Sequence, residues 1–301
     1  MHISLKQLQV FEAVARLSNF TRAAEEINLT QPAVSIQIKR LEEITGLALF
    51  EQLGRKVSLT EVGQVILKHT RDILDEYESL DVVVNDLKGV ESGRIRISTV
   101  STVTYFSPIL LRTFCERHPG ISVSMAVANH QELLKELAEN TVDMAIMGRP
   151  PENENLQAEP FLDNPLVIVA PPDHRLSHKK SINVSHLANE VFLMRENGSG
   201  TRGAMERFFS EHNVTVSTSM DVTGAEALKQ SVQAGLGLAL MSRDAVELEV
   251  KSGRLVELNV RDLPIYRNWY LVHRASKRFS PSALAFKNFI VNEAATLLCR
   301  D

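Results

Sequence analysis

Two stretches of this sequence group side chains that could do chemistry. In Thr30-Gln-Pro-Ala-Val-Ser-Ile-Gln-Ile-Lys-Arg-Leu-Glu, with successive residues 100° apart, Val34, Ile38 and Leu41 share one helical stripe. Gln31, Ser35 and Lys39 fall on the opposite arc, with Pro32 and Ile36 beside them. A helix with aliphatic groups behind and amide, hydroxyl and ammonium groups in front suits the major groove of duplex DNA. There Gln can pair with adenine edges, Ser with bases or phosphate, and Lys with guanine or phosphate. Any amphipathic surface helix has the same spacing, so both readings stay open.

The second stretch is Glu196-Asn197-Gly198-Ser199-Gly200-Thr201-Arg202, between a strand-like run and a helical pattern. Glycines let the backbone approach a ligand, and a helix N-terminus offers unpaired N–H groups to an anion. Ser199 and Thr201 add hydroxyls, and Arg202 can form a charge-assisted bidentate pair. Ser98-Thr99-Val100-Ser101-Thr102 repeats the hydroxyl chemistry at another strand-to-helix junction, and Arg149, in Met147-Gly148-Arg149, ends a further strand. Asn129 and Thr223 are weaker candidates at strand ends. Parallel sheets bind ligands beyond the carboxyl ends of their strands, where all these positions fall. The alternative is a set of ordinary helix caps and tight turns.

The elements that must position these groups divide into three regimes. The first, residues 1–60, reads as short helices: Leu5, Leu8, Val10, Phe11, Val14, Ala15 and Leu17 at helical spacing, then a helix over 21–27. Small Ala23 and Ala24 permit a close helix crossing, and Asn28 suits a turn of positive φ. Thr30 is the expected N-cap of the next helix, which tolerates Pro32 in its first turn and ends before Gly46. Residues 49–59 read as a hairpin around Gly54, with Arg55 and Lys56 at its tip as paired charge for the minor groove or phosphate backbone.

Residues 61–88 form the second regime, a helix of about 40 Å at 1.5 Å per residue. Val62, Ile66, His69, Ile73, Tyr77, Leu80, Val84 and Leu87 recur every three or four residues, a seam for a partner helix or for the helix's own domain. Residues 89–93 read as a hinge. From 94 to 301 strand and helix patterns alternate: strands at 94–100, 121–127, 142–147, 166–170, 191–194 and 266–273, and helices at 106–117, 131–139, 201–212, 225–234 and 281–299. Such alternation predicts an α/β fold with parallel sheets.

Composition excludes several classes. Over 301 residues, 44% are hydrophobic and 23% charged, ordinary values for a folded chain of more than one domain. No apolar run reaches the about 18 residues of a membrane span, and the N-terminus lacks a secretory pattern. The expected location is the cytoplasm. Cys115 and Cys299 are too few for a disulfide framework, and neither His nor Cys has metal-ligand spacing. No cofactor is expected. Net charge is −4, and residues 1–60 are nearly neutral, so any DNA contact depends on local charge placement. Ser199 lacks nucleophile-elbow spacing, and no acid–base partner set is evident, so an enzyme is not expected. A solute-binding protein or an enzyme using the α/β lobes is the alternative function.

Leu8-Gln-Val-Phe, Phe20-Thr-Arg-Ala-Ala, Leu29-Thr-Gln-Pro-Ala-Val-Ser, Leu41-Glu, Leu49-Phe and Leu59-Thr-Glu-Val-Gly together resemble the LysR-type transcriptional regulators. The resemblance implies an N-terminal winged helix-turn-helix, a dimerising linker helix and a two-lobed α/β effector domain like periplasmic binding proteins. The implied lobes span about 94–165 with 266–301, and 166–265. It places Gln31, Pro32 and Ser35 near the groove and makes Arg55 the wing arginine, with Thr21, Arg22, Thr30, Ile36, Lys39 and Lys56 as further DNA contacts. Ile36 stands where many members carry a polar residue, which leaves contact with a thymine methyl. Leu137-Ala-Glu-Asn-Thr-Val-Asp-Met-Ala-Ile-Met-Gly-Arg-Pro-Pro and Trp269-Tyr-Leu-Val-His-Arg resemble the branch that includes regulators of carbon-dioxide-fixation (RuBisCO) operons. That branch implies double-stranded DNA, a small anionic metabolite, RNA polymerase and a homodimer or homotetramer as partners.

Overall fold

Local capping sets the ends of the first helices in the computed structural model, which describes residues 3–53, 56–87, 92–152 and 155–298. Helix α1 (Leu5–Leu17) begins at Ser4, whose Oγ accepts the Gln7 N–H while the Gln7 side chain accepts the Ser4 N–H. Asn19 Oδ1 caps α2 (Phe20–Glu26) by accepting the N–H groups of Thr21 and Arg22. Asn28 turns the chain at φ 56°, as its side chain permits. Thr30 then caps α3 (Gln31–Thr45), which stops at Gly46 with φ 71°. The three helices close over Val10, Phe11, Val14, Ala23, Val34 and Leu41, each fully buried.

An antiparallel pair, β1 (Phe50–Leu53) and β2 (Lys56–Leu59), follows, and Phe50 meets Phe11 edge-on at 5.4 Å. Helix α4 (Glu61–Leu87) continues the same unit, with Ile66 and Leu67 packed on the core of the head. Val62, Ile73, Tyr77 and Leu80 of the expected seam are exposed, as is His69. The side chains of Val84 and Leu87 lie outside the described residues. The chain divides into two units, Met1–Val90 with Glu139–Thr141, and the remainder.

In the second unit β3 (Gly93–Thr99) pairs in parallel with β4 (Ile121–Val127) and with β5 (Met144–Met147). The expected parallel pairing holds for these strands, but the sheet is mixed. Strand β12 (Asn268–Arg274) inserts between β5 and β6 (Leu156–Asp163), antiparallel to both, giving the order β4-β3-β5-β12-β6. Sequence periodicity carries no strand direction, so this reversal was not readable. The β6 strand was also missed, because Pro160 interrupts its pattern; it sits at the sheet edge, where a missing N–H is tolerated. Helices α5 (Ser107–Arg117) and α10 (Pro281–Leu297) contribute Phe114, Phe286 and Phe289 to one core, shared with Trp269 of the sheet. Helix α6 (His130–Ala138) supplies Leu133 and Leu137 to another.

The remaining elements form a second lobe. Strand β7 (Leu166–Ala170) lies between β10 (Ala239–Ser242) and β11 (Val256–Glu257), antiparallel to each. Strands β8 (Val191–Arg195) and β9 (Ser217–Val222) pair in parallel. Helices α7 (Gly200–Glu211), α8 (Ala225–Gln233) and α9 (Arg243–Lys251) pack their apolar faces against these strands. Cys115 is an exposed thiol, and Cys299 lies outside the described residues. No described helix is long and apolar enough to cross a membrane.

Candidate nucleic-acid interface and anion cleft

Helix α3 presents the two arcs that its spacing requires. Val34, Ile38 and Leu41 are buried, whereas Gln31, Pro32, Ile36 and Lys39 are exposed and Ser35 is half-buried. Gln31 Nε2 donates to Ser35 Oγ at 2.9 Å, so the two polar side chains are held side by side on one turn. That contact leaves the Gln31 carbonyl and one amide hydrogen for an outside partner. Ile36 is 51% exposed, an aliphatic group of the kind that packs on a thymine methyl. Thr21 and Arg22, exposed at the start of α2, place a hydroxyl and a guanidinium donor at a helix N-terminus. Arg55 and the Lys56 side chain lie outside the described residues.

In the second unit, a cavity of about 360 Å³ opens where several strands end. The junction after β3 contributes Val100, Ser101 and Thr102, β4 leads into Asn129 and His130, and β5 into Gly148 and Arg149. From the second lobe come Arg195 at the end of β8 and Glu196 after it, Ser199, Gly200 and Thr201 at the start of α7, and Thr223 after β9. Because β12 runs antiparallel, its beginning reaches the same edge as the carboxyl ends of β3 and β5, and Arg267 and Trp269 line the cavity too.

Several expected ligand groups stand elsewhere. Ser98, Thr99 and Met147 are buried within their strands and do not line the cavity, nor do Asn197 and Gly198 of the turn before α7. Arg202, expected to grip an anion, is a correction. Its Nε donates to Glu206 one turn ahead and its Nη1 to Asp221 of β9, both at 2.9 Å. These carboxylates satisfy the guanidinium away from the cavity. The segment before α5 is a 3-10 turn, Ser101–Tyr105, rather than a run into a helix starting at Phe106.

Two cations that sequence reasoning missed stand there instead. Arg195 is buried and donates through Nε and Nη2 to both oxygens of Glu196, each at 2.7 Å. Burial alone would raise the Glu196 carboxyl, but the Arg195 hydrogen bonds and charge hold it below the usual carboxylate range. This pair is neutral overall. Arg267 differs. Its Nη1 donates to the Gly200 carbonyl at 3.3 Å, its Nε is buried with no hydrogen-bond partner, and no described carboxylate pairs with it. Gly148 gives it room, since a Cβ there would lie 3.2 Å from Cζ. Burial first, then repulsion from Arg207 and Arg149, pushes the Arg267 guanidinium down to about 10. It stays charged at neutral pH.

The cleft therefore holds two guanidiniums, Arg149 and Arg267, without paired carboxylates among the described residues, beside hydroxyls and a helix N-terminus. Such donors converge on an anion. His130 lines the same cavity, and burial lowers its pKa, favouring a neutral ring. Among the described residues no group of His, Cys, Asp and Glu could hold a metal ion. A charged residue closing an apolar run was the available signal for Arg195, as it was for Arg149. Arg267 precedes its strand and gave none.

Known proteins resemble this chain in both of these regions. Residues 5–64 match the family model of bacterial regulatory helix-turn-helix proteins of the lysR family, and residues 88–295 match the LysR substrate binding domain. A RuBisCO operon transcriptional regulator of Allochromatium vinosum is 50% identical over 300 residues, covering 100% of this chain and 99% of that protein. The regulatory domain of CcmR from Synechocystis, solved in complex with 2-PG, is 37% identical with a TM-score of 0.64, covering 66% of this chain and 96% of its own. Full-length OxyR from Pseudomonas aeruginosa shares the fold at 23% identity, with a TM-score of 0.78 over 99% of this chain and 95% of its own.

Proposed function

The chain belongs to the LysR family of transcriptional regulators, and from that premise we propose that it controls carbon-dioxide-fixation genes in response to a small phosphorylated anion bound in the cleft. The observation that carries the ligand class is Arg267, whose buried Nε has no hydrogen-bond partner and whose guanidinium forms no ion pair among the described residues. A phosphate monoester supplies the charge and acceptor oxygens that this group lacks. The resemblance to a domain solved with 2-PG supports 2-phosphoglycolate as a first candidate. Arg149, Arg195, Ser101, Thr102, Asn129, Ser199, Gly200, Thr201 and Thr223 complete the proposed ligand shell.

In this reading residues 1–60 form the DNA-binding head, 61–88 the linker helix, 89–93 a hinge and 94–301 the effector domain. Gln31, Ser35, Ile36 and Lys39 meet base edges, while Thr21, Arg22, Thr30, Arg55 and Lys56 meet backbone or minor groove. The exposed apolar residues of α4 support a homodimer or homotetramer joined through that helix. Two heads related by a two-fold axis call for a roughly palindromic site with half-sites about one helical turn apart. Ligand binding biases one effector-domain geometry over another and so changes the placement of the heads for RNA polymerase. The protein works in the cytoplasm and catalyses no reaction.

Footprinting on genomic DNA, with and without a panel of phosphorylated metabolites, tests this. A protected, near-symmetric site upstream of carboxylase genes, altered by a phosphorylated compound, is expected. In the same assay Gln31→Ala weakens binding to that site by about 1–3 kcal/mol while leaving random DNA nearly unaffected. Equal losses on both DNAs would remove Gln31 from base reading.

A further inference from the structure

One cation near the cleft has no role in the reading above. Arg207 is exposed on α7, and Gly203, one turn earlier, makes space for it: a Cβ at Gly203 would lie 3.2 Å from Arg207 Nη1. Arg267 Nη1 donates to the Gly200 carbonyl at 3.3 Å, so Arg207 over Gly203 and Arg267 at Gly200 lie against neighbouring turns of α7, and the Arg207 charge opposes both Arg267 and Arg149. Glu206 and Glu211 act on Arg207 in the favourable sense, but among the described residues neither forms an ion pair with it, and Glu206 is taken by Arg202. Arg207 and Arg267 thus share one end of α7, Arg267 lies against Gly148 beside Arg149, and none of the three forms an ion pair among the described residues. Of these three, Arg149 and Arg267 line the cavity and Arg207 does not.

Such a cluster repels itself until an anion enters. Coulomb energy scales with the product of the charges, so a nearby cation that does not touch the ligand discriminates by ligand charge and not by ligand shape. A phosphate monoester carries nearly two negative charges at neutral pH, whereas a sulfate monoester of the same shape carries one.

We propose that Arg207 is a specificity-determining residue that makes the cleft favour a phosphate monoester dianion over a monoanionic group of the same shape, without touching the ligand. This rests on the reading of the cleft as an anion site.

The test uses the full chain, 2-phosphoglycolate and the sulfate ester of glycolate. Binding is followed by emission of Trp269, the sole tryptophan of the chain and a cavity residue. In wild type the phosphate ester should bind about tenfold more tightly than the sulfate ester at about pH 8, where the former is a dianion. Arg207→Gln should shrink that preference about fivefold, chiefly by weakening the phosphate ester, and Arg207→Lys should restore it. Equal proportional losses for both esters, an unchanged preference in Arg207→Gln, or failure of Arg207→Lys to restore it would overturn the proposal. Equal wild-type affinity for both esters would overturn it as well, while leaving the anion cleft standing. Absence of any wild-type response to either ester or to inorganic phosphate would remove the anion cleft and this proposal together.

Discussion

Replacing Arg267 with methionine should stabilise the ligand-free protein and abolish its response to anions. Burial, with repulsion from Arg207 and Arg149, pushes this guanidinium down to about 10. That shift corresponds to about 3 kcal/mol against the charged folded form. Since the folded pKa is below the unfolded one, the unfolded chain holds the proton more tightly. The penalty is therefore complete at neutral pH and fades as pH rises above about 10 toward the unfolded chain's value. Methionine keeps most of the aliphatic stem but loses the hydrogen bond to the Gly200 carbonyl, about 1 kcal/mol. The expected net gain is about 2 kcal/mol, and the affinity for 2-phosphoglycolate should fall about 100-fold through loss of a buried charge-assisted contact. Urea unfolding of the full chain, followed at Trp269 with and without the ester, measures both. A variant less stable than wild type without ligand, or one that gains as much from ligand as wild type does, would refute the argument.

Two further substitutions test local packing and charge. Gly63→Ala sets helix propensity, worth about 1 kcal/mol in favour of alanine, against a Cβ placed 2.2 Å from the Leu49 carbonyl oxygen. That oxygen is held by the Thr60 N–H at 3.0 Å and cannot simply swing away, so the head should lose about 1–3 kcal/mol. A raised melting midpoint in circular dichroism would contradict this. His212 is raised above its usual 6.5 first by the Phe208 carbonyl and then by Asp262. Its contribution to stability is present at pH below 6.5 and is lost as pH climbs through the folded value. Asp262→Asn tolerates the positive φ of that position and should lower the His212 pKa in an NMR titration; an unmoved value would remove Asp262 as a cause.

The parts of the molecule legible in the sequence are those fixed by neighbours along the chain. Thr30 at the start of α3, Gly46 at its end and Asn28 in the turn act through local backbone chemistry, and each stands where its residue type predicts. The run from Glu61 to Leu87 and the strands at 121–127 and 166–170 match their patterns residue for residue. What stayed hidden depends on distant pairing. Arg267 reaches the cavity only because β12 is reversed against β5, and Arg202 is withdrawn from it because Asp221, 19 residues away, comes within hydrogen-bond reach. A cation's assignment to a ligand or to a structural partner is settled by which carboxylates the fold brings near, and spacing along the chain does not report that.

The place of β12 inside its sheet also bears on how the protein is made. Until residues 268–274 leave the ribosome, β5 and β6 have no strand between them, and their facing backbone groups and apolar side chains stay open. A chain cut short anywhere from 166 to 267 would expose two sticky edges at once and should aggregate rather than yield a smaller working module. The second lobe is thus an interruption that the first must wait out before it can seal.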